Sequence, residues 1–175
     1  MEQIGLDERT RRGALGPSWG HLLGVLDRYA ERFIALYREN LEYAGRNASR
    51  ALSDSLSYEV RTEARTIGVD ISLLDYWEYI EHGTAPHWAP IAPLREWVRV
   101  KNIAPRPLAN GKLPTVNQLA HMVQWKIHKK GTEGKPNFQS ALDAAWAEFE
   151  DAIGEAISAD IGENIDVVLS VLAQA

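Results

Sequence analysis

The apolar residues of this chain switch from a helical period to strict alternation and back again, and that switch bounds the fold. From His21 to about Leu52, the positions Leu22, Leu26, Tyr29, Phe33, Leu36, Tyr37, Leu41 and Ala44 recur at spacings of three and four. Arg28, Glu31, Arg32, Arg38, Glu39 and Glu42 fill the other side. This pattern predicts a long amphipathic helix, with Gly45 ending or bending it. From Ser57 to Ile71 the period becomes two. Tyr58, Val60 and Thr62 alternate with Glu59, Arg61 and Glu63, then Ile67, Val69 and Ile71 alternate with Thr66, Gly68 and Asp70. Two half-buried strands follow from that alternation, joined near Glu63 to Arg65 without a strong turn dipeptide. An isolated pair is marginal in water, so these strands need more strands, a packed helix or a neighbouring copy.

The stretch Tyr76-Trp-Glu-Tyr-Ile-Glu-His-Gly-Thr84, continuing through Ala85-Pro-His-Trp88, comes next. Leu73, Leu74, Trp77 and Ile80 recur at helical spacing, with Ser72 as the expected N-cap. Gly83 is the expected stop, and Thr84 and Pro86 keep the helix from resuming. Pro90 and Pro93 extend the chain until Pro93 opens a helix to about Lys101 at its first position, with Leu94, Trp97 and Val98 as its apolar face. Gly83 to Ala92 is thus a stiff loop carrying large side chains. Such loops cap a core or present a contact surface.

Asn102 to Pro114 reads as a loop from Pro105, Pro107, Asn110-Gly111 and Pro114. Thr115-Val-Asn-Gln118 fits a capping box, opening a helix striped by Val116, Leu119, Ala120, Val123 and Ile127. Lys126, Lys129 and Lys130 gather towards its C-terminus, where the helix dipole favours cations, and Gly131 ends it. A tight turn, Lys130 to Pro136, leads to a last helix from about Asn137. Phe138, Leu142, Trp146, Phe149, Ile153 and Ile157 form its stripe, and a break is expected at Gly162. The fold class is α+β: a long N-terminal helix and C-terminal helices packed on a small antiparallel β-sheet. Residues 1–20, polar with Arg9, Arg11 and Arg12, are expected to be a flexible arm; 21–161 one domain; 162–175 a helical tail.

Composition excludes several classes. The chain has no Cys, which removes a disulfide scaffold, a thiolate zinc site and a Cys nucleophile. No apolar run approaches the ~20 residues of a membrane span, and Met1-Glu-Gln-Ile does not begin a signal peptide. With no secretory signal, the sequon Asn47-Ala-Ser49 is disregarded. The net charge of −5 conceals a segregation. Arg95 to Lys135 holds nine basic and two acidic residues; Pro136 to Ala175 holds eight acidic and none basic. Either the basic segment contacts nucleic acid, or opposite surfaces meet within the chain or between copies.

Motifs for chemistry are weak. Glu78 and His82 share a helix face, Glu81 lies beside them and His87 could fold back, which makes a candidate metal or acid–base cluster. The zincin pattern is absent, and helix-end His with exposed Glu is the plainer reading. His121 and His128 share a helix without a further partner. Gly111-Lys112 and Gly134-Lys135 lack the remaining phosphate-loop residues. No pair of carboxylates is identifiable as a catalytic dyad. Of the six Trp, Trp77, Trp97 and Trp146 lie on apolar stripes and are assigned to the core. Trp88, on the Pro-rich loop, and Trp125, off its helix's stripe, are the candidate interface anchors.

Tyr76-Trp-Glu-Tyr-Ile-Glu-His-Gly-Thr84 with Ala85-Pro86-His87, and Ile127-His-Lys-Lys-Gly-Thr132 followed by Pro136 and Phe138, resemble two signatures of one family. The family is the head–tail joining proteins of long-tailed double-stranded DNA phages, also called neck, minor tail or tail-completion proteins. The order of elements is similar too, over about Leu22 to Ile161. Asn137 stands where an apolar residue is common, and the 102–114 loop and the chain past Gly162 have no counterpart. The resemblance implies a non-enzymatic virion protein without cofactors or metal, assembled in the host cytoplasm. It implies a ring of identical subunits between the capsid portal or connector (head-closure) proteins and the tail terminator or tail-tube proteins, with transient contact to DNA in the channel and none to a membrane. Tyr76, Ile80, Gly83, Thr84, Gly131, Thr132, Pro136 and Phe138 are its structural signature. Glu81, Gly83, Thr84, Pro86, His87, Trp88 and Trp125 are the candidate subunit or tail interface. Two rival functions remain: a nucleic-acid-binding module using 95–135, and a metal-dependent hydrolase around His82 and His87.

Overall fold

A computed structural model describes residues 18–45, 50–63, 66–103, 105–109 and 111–174. Most of the expected N-terminal arm, the strand-joining turn at 64–65 and the sequon at 47–49 lie outside the described residues. In chain order the elements are α1 (Gly20–Tyr43), α2 (Ala51–Ser55), β1 (Ser57–Glu63), β2 (Thr66–Ser72), α3 (Trp77–His82), β3 (Gly83–Thr84), α4 (Ile91–Val100), α5 (Val116–Lys130), β4 (Thr132–Glu133) and α6 (Asn137–Ala173). The class is α+β, as the change of period requires.

The frame is the pair α1 and α6. The buried apolar positions of α6 are alanines: Ala141 and Ala145 are 0% exposed and Ala156 5%. Small residues at spacings of four let the two helix backbones approach closely, while Phe138, Leu142 and Phe149 pack along the flank against Tyr29, Phe33, Tyr37 and Leu41 of α1. Trp146 therefore stays out of the core, contrary to the core position that its place on the apolar stripe predicts. It is 48% exposed, because the alanine row and not the bulky row faces α1. Trp97 is 39% exposed for a similar reason: Val98, at 3%, takes the inward position of α4. Trp77 does pack on the core.

The helix pair is fastened along its length and at one end. Arg32 donates twice to Glu148, Nε to Oε2 at 2.7 Å and Nη2 to Oε1 at 2.8 Å. That exposed pair sets the facing of the helices more than their stability. At the far end Asp160, 0% exposed, accepts the backbone N–H of His21 at 3.0 Å and of Leu22 at 2.8 Å. It thereby satisfies two orphan donors in the first turn of α1 from across the fold. Ser18 N–H donates to Asn164 Oδ1 at 2.7 Å, and Asn164 Nδ2 returns a bond to Ser18 O at 2.9 Å.

β1 and β2 pair antiparallel in the register that the alternation implies. Tyr58 lies opposite Ile71, Val60 opposite Val69 and Thr62 opposite Ile67, so all three pairs share one face. Tyr58 and Ile71 pack against the main core, and Ile67 packs with Leu22, Val25 and Ala156. On the other face Arg61 Nε meets Asp70 Oδ2 at 2.7 Å. Packing on the helix pair is what makes a two-stranded sheet viable.

Several expected boundaries move. The first helix ends at Tyr43 rather than Leu52, with Gly45 at φ 65°, and Leu52 is buried on the separate α2. Ser72 closes β2 instead of capping a helix, so α3 is only the six residues Trp77–His82. α4 opens at Ile91 and Pro93 occupies its third position. The Lys130 to Pro136 turn contains β4. The expected break at Gly162 does not occur, and α6 runs 37 residues without interruption. A single helix-interior Gly costs only about 1 kcal/mol relative to Ala. Here Asp160, Glu163 and Asn164 all bond back to the start of α1 on either side of it.

Candidate functional site

The two stretches that end in Gly-Thr meet. α3 stops at Gly83 (φ 75°, ψ −168°) and α5 stops at Gly131 (φ 70°, ψ −160°), so both helices leave through the same backbone conformation. That region is open essentially to Gly alone. Each emerging segment then pairs with the other, Thr84 opposite Thr132 and Gly83 opposite Glu133. The Thr84 and Thr132 hydroxyls lie 2.9 Å apart. A Cβ on Gly83 would overlap the Thr132 carbonyl oxygen, and one on Gly131 would overlap the Thr84 carbonyl oxygen. The clasp is therefore closed backbone to backbone, with no space for a side chain on either glycine.

Glu81 extends the clasp into α6. It is 7% exposed. Oε2 accepts the Phe138 N–H at 2.8 Å and Oε1 accepts the Gln139 N–H at 3.0 Å. A carboxylate at a helix N-terminus satisfies orphan donors and meets the positive end of the dipole. Lys135 N–H donates to Ile80 O at 3.0 Å, which ties the turn to α3. Pro136 precedes α6, and Phe138 inserts between Phe33, Tyr37 and Trp77 with ring centroids 4.9, 5.5 and 4.8 Å away. Burial, with Glu81 nearby, pushes the Tyr37 phenol up to about 12.

Gly83 is the helix stop the sequence predicts, at positive φ, and the Thr84 hydroxyl is hydrogen-bonded. Glu81, Gly83 and Thr84 are also expected at an interface, and here the structure differs. Glu81 is buried as a helix cap, and Gly83 and Thr84 are half-buried in an intrachain ladder. Ile80 is half-buried on the core, while Tyr76 is 38% exposed at its edge. Ala85 to Trp88 are all exposed. Ala85, Pro86 and His87, with Tyr79, Gly83 and Thr84, line an open groove of about 590 Å³. Trp88 is 60% exposed and stacks on His128 of α5, ring centroids 4.0 Å apart. Gln124 Nε2 donates to Ala89 O at 2.7 Å, fixing the loop along α5. Trp125 is 59% exposed, with Lys129 Nζ 5.5 Å from its ring centroid.

The candidate metal cluster is not assembled. Both Glu81 oxygens face α6, whereas Glu78, His82 and His87 are exposed, and His87 Nδ1 lies 2.9 Å from Ala85 O. Among the described residues, the group that converges within metal-ligand reach is His21, Asp160 and Glu163. Its geometry is that of a helix cap: both Asp160 oxygens accept backbone N–H bonds, and His21 Nε2 pairs with Glu163 Oε1 at 2.9 Å. That hydrogen bond and the Glu163 charge raise the His21 pKa above its usual value. Sequence reasoning missed Asp160, Asn164 and the Ala141–Ala145 row. Their available signal was an aspartate four residues beyond Ala156 on the small-residue face.

The chain matches no protein-family model, no curated protein and no solved structure. No helix among the described residues is long and apolar enough to cross a membrane.

Proposed function

We propose that the chain is a non-enzymatic structural subunit of a phage neck, joining the capsid portal or connector to the tail as a ring of identical copies. One observation carries this reading. The two segments that resemble the family's signatures, 48 positions apart at Thr84 and Thr132, form a single clasp. Their glycines, threonines, Glu81 and Phe138 all serve one architectural device, which suits a protein whose task is assembly. The clasp fastens α3 to α5 and caps α6, leaving Pro86, His87, Trp88 and Trp125 exposed. These are the side chains available to portal, connector, tail terminator or tail-tube neighbours. The segregated charge supports repeated head-to-tail contacts. Localisation to the virion neck after assembly in the host cytoplasm, and passing contact with channel DNA, belong to the same proposal.

Electron cryomicroscopy of the particle that encodes the chain tests it. A ring between portal and tail tube is expected, and density that excludes the chain overturns the reading. Contact with nucleic acid as the main function has one favouring observation, Trp125 exposed beside Lys129 on a basic segment. It predicts tight DNA binding by the isolated monomer, weakening steeply with salt.

A further inference from the structure

Two exposed surfaces of opposite charge stand at opposite ends of the molecule. The first is the C-terminal end of α6. Ile161, Ile165, Val168, Leu169 and Leu172 are 46 to 67% exposed, and with Trp19 four of them line a groove of about 370 Å³. The apolar residues wrap around the helix, and Val167 and Val171 on other faces are each 47% exposed. A helix end that is apolar on several sides is one that becomes covered. Glu163 and Asp166 are the acidic side chains of this end, and residues 161–175 hold no basic one.

The second surface is the α4–α5 hairpin. Trp97, Val100, Met122 and Trp125 are 39 to 59% exposed there. They lie among Arg95, Arg99, Lys126, Lys129 and Lys130, in the segment with nine basic and two acidic residues. Large aromatic anchors ringed by charge are the composition of contact surfaces.

One chain cannot bring these surfaces together. The 37 residues of α6 span about 55 Å. The hairpin is tethered at the N-terminal end of α6 by the clasp, and Lys101 Nζ reaches Gly45 O at the adjoining end of α1. The apolar end lies past Asp160, which is fixed to the opposite end of α1. We infer that the C-terminal end of α6 docks on the α4–α5 hairpin of a second copy of this chain. The inference deepens the ring reading above by naming the two surfaces that would join the copies. The contact is heterologous, so each copy offers one free surface of each kind and repetition closes a ring or extends a filament. Pairing of two α6 ends would instead oppose acidic helices, with Glu163 and Asp166 in both, so charge complementarity selects the basic hairpin.

The absence of Cys makes introduced thiols unique. Full-length Ile165→Cys and Met122→Cys variants are oxidised separately and as a mixture at high protein concentration, with circular dichroism confirming their helix content. A covalent dimer is expected from the mixture, little from either variant alone, and a ladder from the double variant. Lys126→Glu with Lys129→Glu is expected to lower the mixed yield severalfold, and Asp166→Lys in the partner to recover part of it. Dimers from Ile165→Cys alone would overturn the inference in favour of paired α6 ends. A mixture without dimers would overturn it too, whether residues 1–17 or a different protein covers the apolar end. A mixed crosslink in a chain excluded from virus particles upholds this contact and removes the neck reading. A neck ring whose chain gives no mixed crosslink does the reverse.

Discussion

The carboxylate of Glu81 accepts the backbone N–H of Phe138 at 2.8 Å although 57 positions separate the two residues. A six-residue helix thus caps one of 37 residues, and the short α3 is fixed relative to the α1–α6 frame. Glu81→Ala leaves the Phe138 and Gln139 N–H groups without their acceptor inside the fold. Replacement is expected to cost about 2–3 kcal/mol in chemical denaturation, with Glu81→Gln keeping part of it. A variant as stable as the parent would mean that the α6 N-terminus is capped by other groups.

The glycines divide into two classes with opposite expected signs. Gly83→Ala and Gly131→Ala force a Cβ into a positive-φ backbone and into a facing carbonyl. Each is expected to lose about 3 kcal/mol or more of stability. Gly154 and Gly162 are helical, with open space around their Cβ positions. Substituting either by Ala is expected to gain about 0.5–1 kcal/mol. Thermal melts of the four variants read both signs in one experiment.

Two tyrosines make the fold sensitive to alkali. Burial pushes Tyr37 up to about 12, and the hydrogen bond to Asp27 with its charge pushes Tyr58 to about 12, both from 10.0. A folded-state pKa above the unfolded value means that the stabilisation is complete below pH 10 and is lost as pH rises through about 12. Tyrosinate absorbance is expected to appear late, together with unfolding. Tyr37→Phe separates the contributions. Among the described residues the buried Tyr37 hydroxyl has no hydrogen-bond partner, so its removal is expected to leave stability unchanged or improve it by up to about 1 kcal/mol.

Asp160→Ala removes the acceptor of the His21 and Leu22 N–H groups at a fully buried position. The expected cost is about 2–4 kcal/mol, with hydrogen exchange fastest in the first turn of α1. Because the cluster is a cap, chelators are expected to leave the melting temperature of the parent chain unchanged. The His21–Glu163 pair adds a weaker pH dependence. The His21 pKa is raised above 6.5, so its contribution is complete below that value and fades as pH rises through the folded-state pKa.

The sequence by itself determined the features that local period and helix-end chemistry dictate. It specified α1 by its stripe, the strand pair with Tyr58 and Ile71 on one face, the capping box that Thr115 and Gln118 form, and the stops at Gly83 and Gly131. Each depends on residues a few positions apart, where one helix turn or one strand repeat fixes the geometry. The tertiary structure alone decided that Thr84 meets Thr132, that Glu81 and Asp160 cap helices remote in sequence, and that α6 turns Ala141 and Ala145 inward while Trp146 stays exposed. It also decided that Gly162 stays helical, because bonds from residues around it to the start of α1 outweigh its modest helix penalty. Such outcomes depend on which helix faces can approach most closely once all of them compete for the same core, and no local repeat of apolar residues encodes that competition.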